Sequence, residues 1–300
     1  MKKFAFLLLV AVPLMLNGQV TDDFSDGNDD GWTHYDPIGS HPAFPDQATF
    51  TVVNGTYRIQ TAPSPLPGTV GPGRAGSFRM ETNYTDFYVT VDIVNFDTNV
   101  NQAFGILARV TNIGLGTSDG YAMTWNTGGH DLDISTFTGE DPNGITVTGS
   151  EHADLVPGRP YRLVFSGKGN QLTGEVYELP NLDTPLASIT GTDNSNSPWT
   201  TGVAGLIVYD NSRAQTGTTD ATFDNYYALP FKPPRLKIEP LPFDEFRISW
   251  PADPANYVLQ VCSELGVDWT DITDNIAESS GVRSWIDSSQ SDKHFFRLRP

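Results

Sequence analysis

Hydrophobic and polar residues alternate along many short segments of the chain, the pattern of a β-strand with one buried and one exposed face. The clearest case is residues 88–95, where valine and isoleucine alternate with threonine and aspartate. Asn54-Gly55 between two such segments predicts a tight hairpin turn. The pattern predicts strands at residues 48–53, 56–60, 88–95, 104–110, 121–126, 131–138, 161–166, 171–178, 186–190, 203–210 and 221–228.

A proline-rich segment divides the predicted strands into two sets. Residues 229–243 contain five prolines, which is typical of a stiff, extended connector. Further strands are predicted after it, at residues 246–250, 257–263, 269–272, 283–286 and 295–299. Many short strands separated by turns favour a sandwich. We therefore predict an all-β fold: an antiparallel jelly-roll sandwich over residues 19–230, followed by a second, smaller β-sandwich over residues 231–300.

The first residues have the pattern of a secretory signal peptide. Lys2 and Lys3 precede an apolar run over residues 4–16, which is too short to span a bilayer, and small or polar residues follow it. We assign residues 1–18 to this signal peptide. The prediction is a secreted protein, extracellular or held at the cell surface, that does not insert into the membrane.

The charge of the chain excludes one class of partner. Lysine and arginine together number 18 against 36 acidic residues, and the net charge is -18. Nucleic-acid binding requires clustered basic residues for the phosphates, so we predict no nucleic-acid partner. Cys262 is the one cysteine of the sequence, which rules out a disulfide within the chain.

Catalytic motifs are matched only in part. The Gly-x-Gly-x-x-Gly at residues 71–76 and the Gly-x-Ser-x-Gly at 116–120 lead into strand-like segments, whereas both motifs require a helix. The Glu-x-Asp-x-x-Glu pattern of sandwich-fold β-glucanases is absent, and Asp131 and Asp133 share only its first spacing. We therefore expect no enzyme. The alternative is a glycan-active enzyme whose acid pair is Asp92 and Asp133.

One acidic turn has the spacing of half a calcium loop. Asp26, Asn28 and Asp30 are followed by a glycine, so oxygen ligands alternate along the turn before a sharp bend. The twelfth position of such a loop is a glutamate, and here it is Pro37. The sequence therefore predicts a simple loop site for a structural calcium ion, or else an acidic surface turn.

Segments near both ends of the first domain resemble a known family. Residues 22–27 read Asp-Asp-Phe-Ser-Asp-Gly, and residues 221–227 read Ala-Thr-Phe-Asp-Asn-Tyr-Tyr. Together with the segments at 105–109, 161–165, 174–177 and 202–206, they resemble the concanavalin A-like (laminin G-like) jelly rolls of secreted bacterial proteins. The resemblance covers about residues 20–230. The segments at 246–251, 257–260 and 295–299 resemble short fibronectin type III or immunoglobulin-like modules.

The family resemblance implies two packed sheets and a curved face that binds ligand. It also implies a structural calcium ion that ties the first strand to the last, through Asp22 or Asp23 and Asp224. The loop site and this clasp between strands are alternatives that the sequence does not separate.

Strand alternation also predicts a binding face. It groups Val89, Val91 and Ile93 with Phe104, Ile106, Ala108, Leu132 and Ile134, and it leaves Thr90 and several charged residues on the opposite face. Tyr121 and Trp125 share one side of their strand with Met123, which favours the core, although aromatic rings also stack on sugars. The predicted ligand-binding residues are Asp92, Arg109, Tyr121, Trp125, His130, Asp131 and Asp133.

The leading interpretation is a secreted, non-catalytic protein that binds polysaccharide or a cell-surface glycan and holds structural calcium. An extracellular adhesive or structural protein, with a protein or matrix partner, is the second. The glycan-active enzyme is the third. The sequence names neither the sugar nor the oligomeric state.

Overall fold

The computed structural model describes residues 18–212, 217–252, 257–264, 269–288 and 294–299. Apart from Gly18, the predicted signal peptide lies outside these residues. Within them, no helix is both long enough and apolar enough to cross a membrane. The chain divides into two units, Gly18–Lys232 and Pro233–Pro300.

The first unit is built almost entirely of strands. It contains one short helix, α1 (Pro67–Val70). Its described strands are β1 (Val20–Asp22), β2 (Trp32–Tyr35), β3 (Ala48–Val53), β4 (Thr56–Thr61), β5 (Arg74–Tyr84), β6 (Phe87–Phe96), β7 (Gln102–Thr111), β8 (Asp119–Asn126), β9 (Leu132–Thr138), β10 (Asp141–Gly144), β11 (Val147–Ser150), β12 (Tyr161–Lys168), β13 (Gln171–Glu178), β14 (Ala187–Thr192), β15 (Gly202–Asp210) and β16 (Thr219–Leu229).

These strands form two antiparallel sheets. The nine-stranded sheet has the order β11-β14-β13-β12-β6-β16-β4-β3, with β1 also paired to β16, and the seven-stranded sheet has the order β10-β9-β8-β7-β15-β5-β2. Consecutive strands β5, β6 and β7 alternate between the sheets, so the chain crosses repeatedly from one layer to the other. The predicted antiparallel jelly-roll sandwich is confirmed.

The core between the sheets contains the residues that alternation predicts. Buried side chains of β6, β7 and β9 pack in one apolar cluster, which includes Val89, Val91, Ile93, Phe104, Ile106, Ala108, Leu132 and Ile134. Each strand therefore turns its apolar side inward, where burial removes that surface from water.

The prediction of a shared polar face is wrong. The inner faces of a sandwich meet, but its outer faces point in opposite directions. Strand β6 belongs to the nine-stranded sheet and β9 to the seven-stranded sheet. Thr90 and Asp92 therefore point to one outer side of the unit, where both are buried, whereas Asp133 is exposed on the other side.

The sequence predicts one tight turn correctly and misses one long strand. Asn54 and Gly55 have φ angles of 53° and 73° and join β3 to β4, which confirms the hairpin. The eleven-residue strand β5 has no clean alternation, because its first half is buried on both faces and its second half is largely exposed. The sequence pattern does not predict it.

The second unit is a smaller β-sandwich, as predicted. It contains a four-stranded sheet, β17-β18-β22-β21, and a three-stranded sheet, β20-β19-β23. Ile248, Trp250, Leu259 and Phe296 are buried in its core. Its described strands are β17 (Lys237–Pro240), β18 (Phe246–Pro251), β19 (Val258–Cys262), β20 (Thr270–Asp271), β21 (Ala277–Ser279), β22 (Val282–Asp287) and β23 (Phe295–Arg299).

Candidate functional site

The outer face of the seven-stranded sheet carries a groove, here called the outer groove, of about 610 Å³. Aromatic and aliphatic side chains of β2, β5, β7, β9 and β15 form much of its lining, and they cluster on this side of the sheet. These residues are Tyr35, Phe78, Leu107, Val110, Phe137, Ile207 and Tyr209. The groove therefore offers an apolar floor on a surface that faces away from the sandwich core.

Glycines leave part of the outer face of this sheet without side chains. One register row across six strands contains Asp133, Thr124, Gly105, Ile207, Gly76 and Tyr35. A Cβ atom at Gly105 would lie 2.1 Å from the Met123 carbonyl oxygen, and one at Gly76 would lie 2.5 Å from the Leu206 carbonyl oxygen. Both positions lack side chains because the neighbouring strands approach too closely for one.

Loops from three places raise the walls of the groove. The segment around α1 contributes Val70 and Pro72, the turn before β8 contributes Leu115, and the start of β10 contributes Pro142. These residues are half-buried or exposed. The groove is thus a depression between loops and is open to solvent.

A polar network fixes one wall of the outer groove. Arg74 Nε and Nη2 donate to the two Glu140 carboxylate oxygens over 2.8 and 2.7 Å, a bidentate pair, and Arg74 Nη1 also donates to two loop carbonyls. The Tyr35 hydroxyl and the Gly116 amide donate to the same carboxylate. Burial and the negative charge of Glu140 raise the pKa of Tyr35, so this hydroxyl stays a donor.

A second carboxylate has a different environment. Asp133 lies on β9 and lines the groove. Its side chain is exposed, but the neighbouring groove residues exclude part of the water around its carboxyl group. This desolvation, assisted by the negative charge of Glu151, raises the pKa of the Asp133 carboxyl. Of the carboxylates that line the groove, Glu140 is therefore fully hydrogen-bonded within the protein, whereas Asp133 faces solvent.

Two predicted ligand-binding residues are instead internal structure. Asp92 is 3 % exposed and accepts two hydrogen bonds from Arg162, over 2.7 and 2.8 Å. Arg109 is 1 % exposed because a β-bulge follows Ala108 and its φ of 51° turns the side chain inward. Its guanidinium donates to the carbonyls of Thr85, Gly169 and Trp199. Neither residue reaches a ligand at the surface, which corrects the prediction.

The predicted aromatic platforms are also buried. Tyr121 donates from its hydroxyl to Asp193 over 2.7 Å and accepts from the Trp199 amide. Trp125 donates from Nε1 to the Ala153 carbonyl over 2.9 Å. Both rings belong to the core cluster with Met123, so the core interpretation is right and the platform interpretation is wrong.

The remaining predicted ligand residues lie at the surface, in two places. Asp133 lines the outer groove. His130 and Asp131 lie in the turn before β9, and they approach His152 and Asp154 of a neighbouring loop. The structure thus brings His130 and Asp131 together, away from the residues that line the groove.

Several candidate calcium ligands accept hydrogen bonds within the protein. Asp26 and Asn28 accept hydrogen bonds from backbone amides two residues ahead in their own turn. Asp22 accepts from the Phe24 amide with one oxygen, and from Trp32 Nε1 and Arg79 with the other. In the part of the chain described, the one group of three ligand-type side chains that converges is His130, His152 and Asp154.

Asp224, which belongs to the predicted clasp between strands, lies near other carboxylates. It lies beside Asp92 in the register of β16 and β6. Burial raises the pKa of the Asp224 carboxyl, and the negative charges of Asp92 and Asp23 raise it further. A cation held between Asp23 and Asp224 would relieve this repulsion.

Sequence reasoning missed most of the outer groove. The pattern predicts neither β5, which begins at Arg74, nor β10, which follows Glu140. One signal was available in residues 203–210, where both alternating sets are apolar, Val203, Ile207 and Tyr209 on one side and Ala204, Leu206 and Val208 on the other. A strand that is apolar on both faces is covered on both faces or lines a pocket.

No family model matches the chain, and no curated protein matches it. Solved structures do resemble it. The carbohydrate-binding module CBM66 of Bacillus subtilis is 16 % identical, with 65 % of this chain and 93 % of that chain covered and a TM-score of 0.46. A prokaryotic β-1,3-1,4-glucanase from a mouse hindgut metagenome is 13 % identical, with coverages of 71 % and 99 % and a TM-score of 0.49. Lectin II of Ulex europaeus is 10 % identical, with coverages of 70 % and 97 % and a TM-score of 0.44.

Proposed function

We propose that this protein binds carbohydrate in the outer groove of its jelly-roll unit. The observation that carries the proposal is the pairing of an apolar floor with a fixed polar wall in one open depression. A sugar ring has an apolar face that packs on aromatic rings and hydroxyls that form hydrogen bonds at its edge. Tyr209 offers a half-buried ring to that face, and Asp133 offers an exposed carboxylate to the hydroxyls.

The length of the groove favours a polysaccharide or a cell-surface glycan over a single small sugar. Its lining extends from β9 across the sheet to β2, and the groove is open to solvent.

The signal-peptide pattern at residues 1–18 supports secretion. A structural calcium ion between Asp23 and Asp224 is part of the proposal, and so is the fibronectin-like or immunoglobulin-like character of the second unit.

We propose that the protein binds glycan without cleaving it. The predicted acid pair of Asp92 and Asp133 is wrong, because these residues lie on opposite outer faces of the sandwich. Glu140 is held by Arg74, Tyr35 and Gly116 and has no free oxygen toward a substrate. One observation favours an enzyme: Asp133 has a raised pKa in a groove that other carboxylates also line, as a general acid requires.

The test is affinity electrophoresis of the protein through gels that contain a panel of polysaccharides. We expect one glycan to retard the protein, and we expect the Tyr209→Ala variant to bind it about tenfold more weakly, equivalent to about 1.4 kcal/mol. Tyr227→Ala is the matched control, because Tyr227 is half-buried on the outer face of the other sheet. That variant should be retarded like the wild type.

The other outcomes separate the alternatives. Retardation by no glycan would favour the adhesive or structural role. Equal retardation of Tyr209→Ala and wild type would place the binding site outside the outer groove. Shortening of the polysaccharide by the wild type, with none by Asp133→Asn, would establish the enzyme.

A further inference from the structure

A histidine and aspartate cluster at the surface of the first unit has the composition of a transition-metal site. His130 Nδ1 lies 2.7 Å from Asp154 Oδ1, and His152 Nε2 lies 3.5 Å from the same oxygen. One ligand atom from each of the three residues falls within 4.8 Å of the others. We propose that His130, His152 and Asp154 bind a divalent transition-metal ion of the Zn²⁺ class.

The backbone holds the two ligand segments together. The Ala153 amide, between the two loop ligands, donates to the His130 carbonyl over 2.9 Å, and the Leu132 amide donates to the Glu151 carbonyl over 2.8 Å. Trp125 Nε1 donates to the Ala153 carbonyl from the core side. Hydrogen bonds therefore hold the cluster against the sandwich, and its residues do not lie on a free loop. Because the ligand side chains are already held near one another, metal binding loses less conformational entropy.

The separation of His152 and Asp154 suits a tetrahedral ion. Zinc bonds to imidazole nitrogen and carboxylate oxygen are near 2.0–2.2 Å, so two ligand atoms on one tetrahedral ion lie about 3.3 Å apart. The His152–Asp154 separation of 3.5 Å is close to this value. The 2.7 Å hydrogen bond between His130 and Asp154 must open slightly, which two exposed side chains can do by small rotations.

The donor types select the class of ion. Two imidazoles with one carboxylate suit zinc and its neighbours, whereas calcium and magnesium prefer all-oxygen sites. The side chains of His130, His152 and Asp154 are 45 %, 61 % and 73 % exposed, which leaves room for water as a fourth ligand. Asp131 Oδ1 lies 3.5 Å from His152 Nδ1, where a carboxylate orients a metal-bound imidazole.

The cluster is separate from the outer groove and independent of the proposed function. None of its residues lines the groove. The site would therefore bind zinc whether or not a glycan is present.

The test is isothermal titration calorimetry of the full chain with zinc chloride at neutral pH. We expect one ion per chain, and a loss of at least about tenfold in affinity in His152→Asn and in Asp154→Asn. His34→Asn is the matched control, because His34 is 46 % exposed and pairs with Asp29 over 2.6 Å. That variant should bind zinc like the wild type.

A second readout reports the ligand set directly. Cobalt(II) bound in a tetrahedral site absorbs strongly in the visible range, and we expect this spectrum in the wild type and its loss in His152→Asn. Absence of zinc binding, or equal zinc affinity in the wild type and His152→Asn, would overturn the proposal. Zinc binding that disappears in His34→Asn would place the site elsewhere and would overturn it too.

Discussion

Two arginines of the seven-stranded sheet show how the surroundings of a side chain decide its role. Arg109 is turned inward by a β-bulge and bonds three backbone carbonyls, with the rings of Phe87 and Tyr121 against its guanidinium. Arg74 lies at the rim of the outer groove and pairs with Glu140. Alternation predicts neither role. A bulge reverses the side of the sheet that a residue faces, and only the folded chain shows where a bulge occurs.

Asp224 gives a prediction about charge at the scale of one residue. Because its pKa is raised in the folded state, the ionised carboxylate costs stability above that pKa, and the cost fades as the pH falls through it. In chelator at neutral pH, Asp224→Asn should therefore be at least as stable as the wild type. Calcium at about 100 times its Kd should raise the wild-type Tm by about 5–10 °C and leave the variant unchanged.

Thermal unfolding followed by circular dichroism, with calcium or with chelator, measures this difference. Asp26→Asn is the control for the alternative loop site. If that variant alone loses the calcium response, the loop binds the ion. If calcium raises the Tm of Asp224→Asn as much as that of the wild type, the clasp between β1 and β16 is wrong.

At the scale of elements, the sequence predicts the strands whose two faces differ in polarity, and it misses β5 and β10, whose faces are alike over much of their length. Residues 88–95 and 104–110 alternate, and β6 and β7 confirm both predictions. Strand β5 is buried on both faces at its start, and β10 is exposed throughout, so neither leaves an alternating pattern. The outer groove depends on both of them, and for this reason the candidate site was harder to predict than the fold.

Gly105 provides a prediction about one element of the sheet. Gly105→Ala should destabilise the protein by about 1–3 kcal/mol, because the new methyl group would collide with the backbone of β8. The matched control is Gly144→Ala on β10, where a Cβ atom meets nothing within 4 Å. That change should be neutral or stabilising by up to about 1 kcal/mol. Urea denaturation measures both, and equal midpoints for the two variants would contradict the prediction.

At the scale of the whole molecule, each unit has an apolar core of its own. The clusters of the first unit and that of the second share no residue. The proline-rich segment marks the division in the sequence, and the structural boundary at Lys232 lies two residues after the predicted one. The proline-rich segment predicts this division because prolines interrupt sheet pairing, whereas the position of the outer groove depends on how the sheets are layered.

A chain that ends at Lys232 should fold and keep the glycan binding that we propose for the outer groove. Unfolding enthalpy scales with the number of residues, so calorimetry of the longer chain should show a second, smaller transition with roughly a third of the enthalpy of the first. The shortened chain should show the larger transition alone. Loss of all cooperative unfolding in the shortened chain would mean that the first unit does not fold independently.

The glycine-lined outer face has a consequence for how such a protein can change its specificity over evolutionary time. Where the backbone of neighbouring strands fills the space of a side chain, as at Gly105, Gly76 and Gly205, the floor tolerates few substitutions. Variation is left to the walls, around α1 and at the start of β10. Diversification toward new ligands would then proceed by exchange of loop segments, over a floor that stays nearly constant in sequence.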